Sequence, residues 1–129
     1  MNPTSLPTAV LLACWAMVGC GGGSDGYRSF NPGPTPAELH QGEVLFNTYC
    51  MSCHGGYGRG EGLGPPLIDS IYSALRLADE AIFAAVERGV SQHNFHFGAM
   101  PPVKRIGRAE TALIIPYVRW LQQRAATTP

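Results

Sequence analysis

Apolar and polar positions divide the chain into three regimes. Residues 1–19 carry no charged side chain, and all eighteen charges fall from Asp25 onward. Within that stretch Thr8–Val18 is a run of mostly apolar residues with no polar face at helical spacing. Its length suits the core of a signal peptide better than a membrane span, which needs about 20 residues. From Gly21 to Pro36 the composition turns to Gly, Pro, Ser and Asn, which predicts a flexible tether. Sixteen such residues span roughly 22 Å root-mean-square. The alternative for this stretch is that Tyr27 and Phe30 fold back onto the domain.

From Pro36 an apolar rhythm of three and four residues sets in. Leu39, Gly42, Phe46, Tyr49, Cys50 and Cys53 share one helical face. Pro36 suits a first turn, and Glu38 suits the positive end of the helix dipole. Asp69 or Ser70 can cap a short helix through Leu75. Asp79-Glu80 opens another helix, with Ile82, Phe83 and Val86 inward and Gly89 at its end. A last helix is expected over 108–124. Leu113, Tyr117, Trp120 and Leu121 form its stripe, widened by Ile114 and Val118. Pro116 predicts a kink near Ala112–Pro116, because a proline there removes one backbone hydrogen bond. No stretch reads as a strand. The expectation is an all-α domain over residues 36–126, small for an unaided hydrophobic core and suited to one that wraps an apolar cofactor.

Composition then narrows the function. Nine basic residues balance nine acidic ones, and only 14% of residues are charged. Binding to a nucleic-acid backbone needs a basic face that this chain lacks. An apolar fraction of 45% excludes a disordered chain. The four cysteines would ordinarily suggest two disulfides in an exported protein, but their spacing points elsewhere.

Cys50-Met51-Ser52-Cys53-His54 is a C-x-x-C-H run, the signature of covalent c-type haem attachment. Two cysteines three apart on a helix end share one face and can each form a thioether to one haem vinyl group. The adjacent histidine presents an imidazole nitrogen to the iron. A thioredoxin-like redox pair would need βαβ units. A zinc site would need His93 and His96 to complete the set. For the sixth iron position Met100 remains by elimination. Met51 lies inside the attachment turn, and the other methionines lie in the leader. Pro101 and Pro102 stiffen the chain that carries Met100. His93 and His96 are its rivals, and an open site is the third option. A sulfur ligand raises the reduction potential relative to two histidines.

These residues together resemble a class I, mono-haem cytochrome c of the bacterial type, over roughly residues 36–124. The resemblance implies an orthogonal helix arrangement around one haem, with the last helix crossing the first. It implies that Gly42 and Phe46 meet Tyr117 or Trp120 at that crossing. Gly64-Pro65-Pro66-Leu67 resembles the family's G-P-x-L. This implies that the Pro65 carbonyl accepts from the second nitrogen of His54 and that Leu67 lines the haem pocket. The activity implied is one-electron transfer between redox proteins, with no small-molecule substrate and no catalytic residues. A haem peroxidase or gas sensor with an open sixth site is the alternative, and a fixed subunit of a dehydrogenase lies between. Lys104, Arg105 and Arg108 form a basic cluster that is either solvated or a docking patch for an acidic partner.

Met17-Val18-Gly19-Cys20 resembles the lipobox of bacterial lipoproteins. That implies removal of residues 1–19, a lipid-anchored Cys20, a linker over 20–35 and a place on the periplasmic side of a bacterial membrane. An ordinary signal peptide and a buried helix are the alternatives for the same segment.

Overall fold

The computed structural model describes residues 27–128, which are helical with no strand. The expected leader, Cys20 as the expected site of lipid attachment, and residues 21–26 lie outside the described residues. A 3-10 turn at Ala37–Leu39 leads into α1 (His40–Tyr49). Cys50 marks a slight break (φ −116°) before α2 (Met51–His54). The bonding continues across it: Cys50 N–H donates to Phe46 O at 2.8 Å, and His54 N–H donates to Cys50 O at 2.9 Å. α3 covers Asp79–Arg88 and α4 covers Arg108–Thr127. Among the described residues no helix is long and apolar enough to cross a membrane.

α4 crosses α1 and supplies most of the core. Phe46, Ile114, Tyr117, Val118 and Leu121 are buried there with Phe30 and Ile68. At the crossing Gly42 lies against the Leu113 carbonyl, and an added Cβ would also sit 3.1 Å from Tyr117 Cβ. The Phe46 and Tyr117 rings are 5.5 Å apart and tilted, a favourable aromatic arrangement. Tyr117 in turn stacks on Trp120. Tyr117 is therefore the residue that meets Phe46, one of the two expected.

Three expectations about the strap and α4 are corrected. Residues 27–35 do not behave as part of a free linker. Phe30 is in the core, Pro32 is fully buried, and Arg124 Nε donates to Pro32 O at 3.0 Å. Arg59 Nη1 holds the carbonyls of Arg28 and Phe30, and Tyr27 OH donates to Asp69 Oδ2 at 3.3 Å. The composition suggested flexibility, but prolines and an aromatic can lie as a strap where a core edge stands open. Second, Leu113 is 40% exposed rather than inward, while Thr111, Ile115 and Gln122 are buried. Third, α4 extends to Thr127, past the expected end at Arg124, with Pro116 inside the one helix. Pro116 and Ala112 are exposed, so the carbonyl that the proline leaves unpaired is open to water.

Local chemistry fixes the ends. Glu110 Oε2 accepts from Gly107 N–H at 2.9 Å, and Thr111 Oγ1 donates to Gly107 O, which sets the start of α4. Asp69 caps only a single 3-10 turn, Ser70–Tyr72, rather than a helix through Leu75. Gly89 (φ +76°) ends α3, and a Cβ there would strike Met100 O. That close approach lets Val90 and Met100 exchange two backbone hydrogen bonds of 2.9 and 2.8 Å. The loop 91–99 is thereby pinned at its base.

Candidate functional site

Cys50 at the junction of α1 and α2, with Cys53 and His54 on α2, lines one wall of a cavity of about 660 Å³. Pro65 and Leu67 line it from the loop after α2, and Met100 lines it from the pinned loop. Apolar side chains complete it, among them Phe46, Leu77, Ile82, Val86, Ile114 and Val118. The volume falls within the roughly 300–1,000 Å³ of small-molecule and cofactor sites.

His54 is buried, and its Nδ1 is 2.9 Å from the carbonyl oxygen of Pro65. Burial lowers its pKa, partly opposed by that bond, so the ring is neutral with Nδ1 as donor. Nε2 is then the free donor atom. The ring is closely framed, since a Cβ on Gly64 would lie 3.1 Å from its Cε1 and Nδ1. The Gly60 N–H closes the turn by donating to His54 O at 2.7 Å. Gly60 needs its φ of +80° to do so, and a Cβ there would collide with Pro66.

Both thiols are free and half-buried. Burial, and to a lesser degree the neighbouring Cys53, push the Cys50 thiol up to about 11. It stays a protonated, poorly nucleophilic thiol, unlike the depressed thiolate of a redox or catalytic cysteine. Among the described residues no three His, Cys, Asp or Glu side chains gather as metal ligands. The Cys2His2 grouping is thus not assembled. His93 lines the cavity, but its Nδ1 is 2.8 Å from Ser91 O, and His96 is exposed outside the lining.

The donor set fits covalent haem c on this structure's own terms. Two thiols and an oriented imidazole share one helical turn, a thioether lies on another wall, and the space between is apolar. Of the basic cluster, Lys104 and Arg105 stay exposed at the cavity margin. Arg108 is drawn away: it pairs with Glu80 at 2.9 Å and Glu87 at 3.6 Å and lies over the Phe83 ring.

Sequence reasoning missed several wall residues. Tyr72, Phe95 and Phe97 form a run of ring contacts at 6.2 Å each along the 91–99 loop. Gln122, on α4, also reaches the cavity. The aromatic cluster in 95–97 was a visible signal; Gln122 offered none.

The family model described as cytochrome c oxidase, cbb3-type, subunit III matches residues 37–118. No curated protein and no solved structure matches the chain.

Proposed function

Because the chain belongs to the family of cbb3-type cytochrome c oxidase subunit III, a class I c-type cytochrome whose activity is haem-based electron transfer, we propose that it carries one electron at a time on a single haem c with His54 and Met100 as axial ligands. When bound, haem supplies the ferrous–ferric couple. Cys50 and Cys53 would hold it through thioethers, and His54 would offer Nε2 while Pro65 fixes its ring. Met100 offers sulfur from a backbone pinned to Val90. Leu67 and the apolar wall exclude water, so little solvent rearranges when the charge changes and the reorganisation is small.

One observation carries this reading: a thioether, an oriented imidazole and two thiols line one apolar cavity. The partners are redox proteins of an electron-transfer complex that meet the cavity margin near Lys104 and Arg105. Electron transfer that slows as salt rises would support that docking. The leader sequence supports lipid attachment at Cys20 and a place on the periplasmic side of a bacterial membrane.

Carbon monoxide tests the ligation. The ferrous wild type is expected to bind it slowly or not at all at neutral pH, and Met100→Ala rapidly. The ferric wild type should also show the weak far-red band of sulfur coordination. Rapid binding by the wild type would overturn the closed site in favour of a peroxidase or gas sensor.

A further inference from the structure

The segment between Pro65 and Ala78 forms one side of the cavity with a single 3-10 turn for regular structure. It is gripped from α4 instead. Gln122 Nε2 donates to Leu67 O and to Tyr72 O, each at 2.9 Å. Its Oε1 accepts from Arg119 Nη1 at 2.9 Å. Arg119 Nη1 also donates to Tyr72 O at 2.8 Å, and Nη2 donates to Leu77 O. Asp79 Oδ1 takes Nε at 2.9 Å and Nη2 at 2.8 Å. Four of the five guanidinium N–H groups thus donate hydrogen bonds, and Nη2 adds an ion-pair contact to Asp79.

Gln122 is 7% exposed and the Arg119 side chain 12%. Burying an amide and a guanidinium costs free energy unless every donor is matched. Here both Gln122 N–H groups and four of the five on Arg119 are matched, and most of these bonds go to backbone carbonyls of one segment. That segment begins at Pro65, whose carbonyl faces His54 Nδ1. Between Pro65 and Leu67 stands only the fully buried Pro66, with φ fixed by its ring. A displacement of the Leu67 carbonyl is therefore transmitted to the Pro65 carbonyl with little slack.

We propose that Gln122, held by Arg119, is a positioning residue for His54: by gripping the Leu67 carbonyl across the stiff Pro65-Pro66 link, it fixes the acceptor that orients the imidazole and sets its basicity. The proposal rests on the haem reading above. A firm Nδ1–H···O bond makes the imidazole a stronger donor and favours ferric iron; a slack one favours ferrous.

Gln122→Met keeps length and apolar volume and removes both donors. The holoprotein is expected to shift its ferric–ferrous equilibrium toward ferrous by roughly threefold, about 30 mV at 59 mV per decade. Proton NMR of the ferric protein should show the His54 Nδ1–H exchanging faster with solvent. Arg119→Lys, which keeps the charge and removes the fork, should move both readouts the same way, and it decides the matter if Gln122→Met does not mature. An unchanged potential and an unchanged His54 Nδ1–H, with only a lower melting temperature, would overturn the proposal. Failure of the haem reading would look different: wild-type protein lacking the sulfur band or binding carbon monoxide rapidly.

Discussion

Gly42→Ala should destabilise this domain although it improves a helix. In an isolated helix the change gains about 1 kcal/mol of propensity. Here Gly42 sits in the middle of α1 where α4 crosses, buried against backbone. The new methyl would overlap the Leu113 carbonyl oxygen and press on Tyr117 Cβ at 3.1 Å. Neither can yield alone, because one is main chain of α4 and the other is anchored by a fully buried ring. Relief requires the helices to separate. Overpacking of this kind costs about 1–3 kcal/mol. Separation also loosens the Phe46–Tyr117 contact, worth about 0.5–1.5 kcal/mol. The expected net loss is about 2 kcal/mol, read as a lower urea midpoint at unchanged slope. Val44→Ala on the exposed face of the same helix is the control, with a gain of about 0.5 kcal/mol from propensity alone. If Gly42→Ala matches or exceeds the wild type, α1 and α4 do not approach this closely and the crossing argument fails.

Three further outcomes follow from the packing. Phe30→Ala should cost about 3 kcal/mol in urea unfolding, as for a core aromatic; a loss near zero would restore the flexible-tether view of residues 27–35. Tyr117→Phe should gain about 1 kcal/mol, because the buried Tyr117 hydroxyl has no hydrogen-bond partner among the described residues; a loss in the same assay would reveal a partner. Gly64→Ala should press on the His54 ring and lower the yield of matured holoprotein about tenfold, measured by haem absorbance per protein; normal yield would show that the ring can move.

Much of the site was legible because it is local. C-x-x-C-H is a statement about one helical turn, and Met100 stood out once residues 1–19 and Met51 were set aside. The Gly42–Phe46 pairing was legible through family resemblance, and the crossing bears it out. What stayed hidden depends on contacts between distant parts of the chain. Residues 27–35 have the composition of a tether, and nothing local says that Arg59 and Arg124 collect their carbonyls. Leu113 fits the apolar stripe of α4, yet its place beside Gly42 brings its backbone, not its side chain, to the crossing. Arg108 belonged to a basic cluster on paper; in space the carboxylates of α3 claim it.

Gln122 and Arg119 show the same limit at the point closest to function. On a helical wheel they are two polar residues in the second half of an amphipathic helix, ordinarily solvated. Their backbone acceptors are carbonyls 42 to 55 residues earlier, and a carbonyl has no residue identity to read. Any side chain at 67, 72 or 77 would offer the same oxygen. A site built on side-chain donors, such as the two thiols, is therefore written in the sequence, whereas the scaffold that aims it is written in backbone positions. The orientation of His54 belongs to the second kind: Pro65 contributes a carbonyl, and α4 decides where that carbonyl stands. This is why a polar pair on the last helix, outside the C-x-x-C-H turn and the Met100 loop, is a better place to tune the electron carrier than the exposed charges near its mouth.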